Sequence, residues 1–133
     1  MSLVMQAVQQ ALVFKMLGDA VLMDRVDAVY DVVPQRSSLP YICIAGIEQE
    51  ARDSVGQAAW EVRVELEVWT EAEGRKQAMA ALERLQAVLH QASLSVTGYA
   101  VQEMRVMAAR CDVAERQTRV VGTMELLLLV QQS

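Results

Sequence analysis

Residues that carry catalysis or bind metals are sparse in this chain. His90 is its single histidine, and Cys43 and Cys111 are its two cysteines, far apart in the sequence. One histidine does not assemble a nucleophile–base pair, and two distant cysteines without a second histidine do not build a metal site. We therefore expect both cysteines to be reduced apolar residues and His90 to favour the negative end of its helix. This inventory predicts no enzyme, no metal and no cofactor.

Three carboxylates stand at alternating positions of one predicted strand. Glu61, Glu65 and Glu67 share the polar side of that strand with Arg63. Such a pattern is typical of cross-strand ion pairs or of a solvated face, and it does not indicate a general acid and base. No glycine-rich phosphate loop is present either.

A rival interpretation is a small dimeric α+β domain that binds a ligand or catalyses a reaction. It would need an apolar pocket into which a few polar groups converge. The candidates for those groups are Tyr41, Cys43, His90 and Arg105. Their proximity in the fold decides this alternative.

Bulk composition favours a single domain over residues 1–133 that associates with other proteins. The 133 residues carry a net charge of −5 and no cluster of Lys or Arg, which disfavours tight binding to nucleic acid. Hydrophobic residues make up 53% of the chain, more than a small domain hides easily, so some are expected to pack against another subunit. The sequence predicts neither a secretion signal nor a membrane span.

The strongest local pattern is a strand, turn and helix over residues 60–90. Apolar residues alternate with polar ones in the strand, which predicts one buried face; they are Trp60, Val62, Val64, Leu66 and Val68. After Gly74 the period changes to that of an amphipathic helix, with a stripe of Ala78, Leu82, Leu85 and Leu89.

The rest of the chain predicts an α+β fold in the order α-β-β-β-α-β-β. We expect a mostly antiparallel sheet with two helices packed on one face. The helix over residues 1–23 weakens at Gly18 and Asp19, and Gly46 marks a bulge. The predicted strands are residues 27–33, 41–47, 60–70, 99–109 and 119–131. The predicted polar loops are residues 48–57 and 112–118.

One face of this sheet is expected to stay uncovered. Five strands span ~24 Å, whereas two helices of ~10 Å diameter cover only one face. The period of two then places Leu127 and Leu129 on the uncovered face, with Trp69 and with Ile42 or Ile44. A partner subunit covering them is the preferred prediction; a twisted sheet with a covering loop is the alternative.

The sequence also resembles a known family. After a short N-terminal helix, the resemblance is carried by VYDVVPQRSSLPYICIAG at residues 29–46 and by LEVWTEAEGRKQAMAALERLQAVLH at residues 66–90. These stretches resemble the tail-completion, or tail-terminator, proteins of long-tailed bacteriophages, prophages and gene-transfer particles. The loops at residues 48–57 and 112–118 do not contribute to the resemblance.

The resemblance implies a structural role. Such proteins form a ring, commonly hexameric, at the head-proximal end of the tail, where it stops polymerisation of the tail tube and provides the surface for head docking. The implied partners are further copies, the tail tube protein and a head-completion or connector protein, assembled in the host bacterial cytoplasm. DNA passes through without specific binding, and no small molecule or membrane is involved. A head–tail connector or a minor tail component is the alternative within this class.

Two residue-level hypotheses complete the expectation. Glu61, Glu65 and Glu67 face the lumen of the ring, where an acidic lining repels DNA and lets it slide. Leu127 and Leu129, with Trp69, contribute to the interface between subunits.

Overall fold

The computed structural model describes residues 3–53, 55–114, 116 and 118–133. In this part the chain forms three helices and six strands, so the α+β class is confirmed, while the predicted order lacked one helix and one strand. The elements are α1 (Met5–Leu17), α2 (Ala20–Met23), β1 (Ala28–Tyr30), β2 (Tyr41–Ala51), β3 (Ala59–Glu71), α3 (Arg75–Leu89), β4 (Ser95–Val96), β5 (Tyr99–Ala114) and β6 (Arg119–Gln132).

The strands form one mixed sheet in the order β1-β2-β3-β6-β5-β4, curled into a half-barrel. All neighbouring strands are antiparallel except β1 and β2, which run parallel. The prediction of a mostly antiparallel sheet is therefore matched in part: four of the five neighbouring pairs are antiparallel, and the one parallel pair makes the sheet mixed. The parallel pair arises because residues 31–40 carry the chain back to the starting end of β1 before β2 begins.

The core lies between the helices and one face of the sheet. Every second residue of β3, from Trp60 to Thr70, is buried, as the alternation predicts. Above them, α1 buries Val8, Leu12 and Met16, and α3 buries the apolar stripe that its sequence indicates. Each large side chain of this kind stabilises the fold by roughly 1.5–3 kcal/mol when fully buried.

The first helix ends where the sequence weakens it. Asp19 separates α1 from α2, and its carboxylate accepts the Leu22 N–H at 2.9 Å as the cap of α2. The same carboxylate accepts two hydrogen bonds from Arg84 of α3, at 2.7 and 2.8 Å. The Arg84 hydrogen bond lowers the pKa of Asp19 from 3.8 to about 2.

Two stretches predicted as polar loops are partly strand. β2 continues through residues 48–51, and β5 continues to Ala114; residues 54, 115 and 117 of these stretches lie outside the described part. The polar residues are tolerated because their side chains alternate between the two faces. Gln49, on the helix side, accepts the Val4 N–H at 2.7 Å.

Other strand boundaries also differ from the sequence-based ones. β1 covers only Ala28–Tyr30 of the predicted 27–33, and β4 was not predicted. The predicted irregularity near Gly46 is confirmed, because the β2–β3 register shifts between Ile44 and Gly46. β5 has shifts of the same kind, one of them at Met107, between Val106 and Ala108.

Candidate functional site on the uncovered sheet face

The face of the sheet opposite the helices presents an ordered array of side chains. We call it the uncovered face, and the cross-strand registers define its rows from β2 through β3 and β6 to β5. Successive rows are Tyr41–Trp69–Val121–Asp112, Cys43–Glu67–Thr123–Arg110, Gly46–Glu65–Glu125–Ala108, Glu48–Arg63–Leu127–Arg105 and Glu50–Glu61–Leu129–Glu103.

Carboxylates outnumber guanidinium groups on this face. With Glu71 and Arg119 from the end of the array and Arg52 beside Glu50, nine carboxylates stand against five arginines. The carboxylates are Glu48, Glu50, Glu61, Glu65, Glu67, Glu71, Glu103, Asp112 and Glu125, and the arginines are Arg52, Arg63, Arg105, Arg110 and Arg119. The face therefore carries a net negative charge close to that of the whole chain.

Ion pairs offset most of the negative charge at one end of the array. Arg63 contacts Glu61 at 2.5 Å and Glu48 at 3.8 Å, and Arg105 contacts Glu103 at 2.8 Å. Arg52 contacts Glu50 at 2.9 Å, and this hydrogen bond lowers the pKa of Glu50. Exposed pairs of this kind contribute little to stability, so their main effect is to order the charges of the face.

Glu65 and Glu125 stand directly opposite each other on β3 and β6. Within the described residues neither forms an ion pair. Like charges placed directly opposite destabilise an antiparallel pair. The centre of the face therefore places two carboxylates in directly opposite positions, an arrangement that folding alone does not favour.

Leu127 and Leu129 lie on the uncovered face, where the period of two places them. Leu127 stands between Arg63 and Arg105, and Leu129 stands between Glu61 and Glu103. Both leucines are half-buried, because long charged side chains cover apolar surface with their stems while their heads stay in water. Within the subunit, the two leucines are thus only partly covered, and the side chains that cover them are charged.

Trp69 lies on the same face and is held by a carboxylate. Its Nε1–H donates to Glu67 at 3.0 Å, and the Cys43 thiol donates to the same oxygen at 3.9 Å. Burial, together with the charge of Glu67, raises the pKa of Cys43 to about 11. Cys43 is therefore a protonated thiol and a poor nucleophile at neutral pH.

The two hypotheses drawn from the sequence thus concern a single surface. Glu61 is the direct neighbour of Leu129, and Glu67 contacts Trp69. An open groove of about 610 Å³ lies between the bulges of β2 and β5, and Glu65, Met107 and Leu127 are among the residues that line it. A lumen lining and a subunit interface are therefore competing uses of the same face.

The residues of the rival pocket do not converge. His90 lies at the edge of β5, where its Nδ1 accepts the Val106 N–H at 3.0 Å. Arg105 points to the uncovered face, in a different row from Tyr41 and Cys43. In the described part of the chain, no cluster of three or more His, Cys, Asp or Glu residues is suited to hold a metal ion.

A second apolar surface was missed by sequence reasoning. Phe14 is 81% exposed on the outer side of α1, and Leu3, Leu17 and Val21 are also exposed there. Leu17 is exposed because the helix turns it away from the sheet. The spacing of Phe14, Leu17 and Val21 was a signal for this second stripe. None of the described helices combines the length and apolarity needed to cross a membrane.

Comparison with known proteins gives a consistent picture. The family model described as "Tail completion protein gp17" matches residues 4–127. A chain from the virion of a native gene transfer agent particle superposes with a TM-score of 0.87 and 23% identity, covering 95% of this chain and 96% of that one. The gp17 protein of bacteriophage SPP1 superposes with a TM-score of 0.61 and 18% identity, covering 92% and 88%. At these identities the two likenesses concern the fold. No curated protein sequence matches the chain.

Proposed function

The chain belongs to the tail completion protein gp17 family, and on this basis we propose that it forms a ring which ends the phage tail tube. The family is one of structural tail proteins, so a role in virion assembly follows directly. The finer proposal is that the ring stops tube polymerisation at the head-proximal end of the tail and presents the surface on which the filled head docks. It takes no cofactor and catalyses no reaction.

The acidic character of the uncovered face supports a role beside passing DNA. We propose that Glu61, Glu65 and Glu67 line the lumen, where fixed negative charge repels phosphates and keeps the genome from adhering. The main support for this proposal is the position of Glu65 directly opposite Glu125. Two opposed carboxylates do not help the sheet to fold, whereas a negatively charged lining of the lumen would account for them.

Leu127 and Leu129, with Trp69, remain proposed contact residues on the same face. Because the two leucines are only half-buried by ion-paired neighbours, a partner that enters this face would find apolar surface beneath a polar cover. A further copy of this chain is the proposed partner for such a contact, which competes with a lumen lining for the use of this face. The tail tube protein and a head-completion or connector protein are the proposed partners of the assembled ring. Assembly takes place in the host bacterial cytoplasm.

A head–tail connector or a minor tail component is the alternative, since small α+β domains serve several positions in a particle. Gene order separates them: a major tail protein gene immediately downstream favours the terminator. The direct test is electron microscopy of particles made without this protein. Overlong tails lacking heads support the proposal, whereas tails of normal length overturn it.

A further inference from the structure

The outer edge of β5 is open over residues 108–114. On its inner side this stretch pairs regularly with β6, whereas on the outer side β4 pairs only with the first two residues of β5. The outer edge is next occupied at Val106, whose N–H donates to His90. Among the described strands, none lies beside β5 from residue 108 onward. Such an edge is a template for another strand.

The hydrogen-bond alternation shows which main-chain groups face outward along this edge. The Gln132 N–H donates to the Ala58 carbonyl, so the even-numbered residues of β6 bond to β3 and not to β5. The register sets even-numbered residues of β6 opposite Ala109, Cys111 and Val113. The N–H and C=O groups of these three residues therefore point away from β6, and the described residues offer them no hydrogen-bond partner.

The sequence of this open edge is complementary to itself when it is turned end for end. Arg110 and Asp112 flank Cys111, and Ala109 and Val113 follow one residue further out on each side. If two copies pair antiparallel with their Cys111 residues opposite each other, Arg110 of each copy faces Asp112 of the other. Opposite charges in such positions stabilise a strand pair. In the same register Ala109 faces Val113, and the three outward-facing residues form hydrogen-bonded pairs.

Charge disfavours the two neighbouring registers. The outward-facing residues must meet one another, so the two-fold centre can move only in steps of one residue. A pairing centred on Arg110 would set the two Arg110 side chains against each other, and a pairing centred on Asp112 would oppose two carboxylates. Like charges directly opposite are destabilising. The register centred on Cys111 therefore has the advantage over both.

The side chains on both faces of the edge suit this pairing. On the uncovered face Arg110 and Asp112 are 71% and 59% exposed, and their present ion pair spans 3.3 Å. Because an exposed pair contributes little to stability, exchanging it for pairs between copies loses little. On the helix side Ala109 and Val113 are exposed, and the pairing would cover each with the other. Opposite residues share a face, so the helices of both copies would lie on one side.

We propose that the free protein forms a two-fold dimer in which the outer edges of two β5 strands pair around Cys111. The occupant of the edge is a second copy of this chain. Main-chain hydrogen bonds join the two six-stranded sheets, and two Arg110–Asp112 ion pairs lie on the uncovered face. A two-fold contact pairs copies and does not by itself close a ring. The inference therefore goes beyond the proposed function and concerns the protein before it reaches the tail.

The first test uses the natural cysteine at the centre of the junction. The purified protein is oxidised with copper(II)–phenanthroline in the absence of tail tubes. Opposite residues of a hydrogen-bonded pair have Cα atoms about 5.5 Å apart, which a disulfide can span, so non-reducing gels should show covalent dimers. Cys43 is buried and should not link.

The matched control for oxidation is Ala109→Cys in a Cys111→Ala background. It keeps the charges and places the thiol on the same face of the same edge, but opposite Val113 of the other copy. This variant should stay monomeric on the gel. A natural chain that gives no covalent dimer, or a control that links equally well, overturns the junction.

The second test reverses the charges and measures dimerisation by sedimentation equilibrium over a wide range of protein concentration. A strand pair of this length is a small interface, so the dimer should be weak and concentration-dependent. By symmetry Arg110→Asp turns two attractions into two repulsions, which should raise the dissociation constant by about tenfold or more. Arg110→Asp combined with Asp112→Arg restores unlike charges in the same register and should return the constant to within about threefold of the unaltered chain.

Both substituted side chains are exposed, so far-ultraviolet circular dichroism should show that every variant folds. A natural chain that stays monomeric at all concentrations refutes the dimer. A dimer that is indifferent to Arg110→Asp, or that the charge swap does not restore, refutes the register centred on Cys111. None of these results bears on the proposed ring, which the length of tails made without this protein tests separately.

Discussion

Glu65→Lys is expected to stabilise the subunit while it damages the particle. The substitution converts the Glu65–Glu125 repulsion into an attraction between directly opposite residues. Cross-strand charge pairs contribute roughly 0.2–1 kcal/mol each, so losing the repulsion and gaining the attraction together raise the free energy of unfolding by about 0.5–1.5 kcal/mol. For a domain of this size the melting temperature should rise by roughly 2–5 °C.

Glu71→Lys is the matched control for this change. Glu71 lies on the same strand and the same face, but it stands opposite Arg119. The same substitution there creates a repulsive pair, so the melting temperature should fall by roughly 1–3 °C. Both variants add equal charge to the face, and high salt should shrink both shifts.

Two assays separate stability from function. Thermal unfolding of the isolated subunits at low and high salt measures the opposite shifts. Infectivity, or packaged DNA delivered per particle, measures the effect of face charge, and it should fall in both variants because the lining becomes less repulsive to DNA. Destabilisation by Glu65→Lys, or a loss of infectivity in Glu71→Lys alone, would refute the reasoning.

Three further outcomes follow from other parts of the molecule. Gly122→Ala should cost about 1–3 kcal/mol in urea unfolding, because a Cβ there would lie 2.8 Å from Cδ1 of the buried Leu82; an unchanged midpoint would contradict this. Asp19→Asn should lower the free energy of unfolding at pH 7 by about 1–2 kcal/mol, since it removes the carboxylate paired with Arg84. The pKa of Asp19 is lowered from 3.8 to about 2, so this difference is present above pH 4 and should disappear in unfolding curves as the pH falls through 2. Leu127→Asp should leave the monomer folded, because Asp between two arginines is tolerated, but should weaken assembly on tail tubes as measured by sedimentation; intact assembly would remove Leu127 from the interface.

Much of the fold follows from local patterns. The alternation in β3 and the stripe of α3 predict which side chains are buried, and Asp19 and Gly18 predict the break between the first two helices. The predicted loop at residues 48–57 was wrong in its first part because polarity alone does not distinguish a loop from a strand with charged residues on one face. Gln49 is accommodated by a contact with Val4, 45 residues earlier in the chain, which no local pattern reveals.

The candidate site shows the limit of such patterns more clearly. Alternation places Glu61 and Leu129 each on one side of its own strand, but it does not give the register between strands. Only the register makes them direct neighbours, and it turns two separate hypotheses into competing uses of one face. The stripe of Phe14, Leu17 and Val21 was detectable from helical spacing. Spacing alone, however, does not distinguish an exposed apolar stripe from a buried one.

The most direct measurement is electron microscopy of purified tail tubes incubated with the purified protein, with a gold label on the chain. We expect one closed ring at a single end of each tube, and no further growth of that end when tube protein is added. Label distributed along the tubes, or capped ends that continue to grow, would contradict the assignment of this chain as the protein that completes the tail.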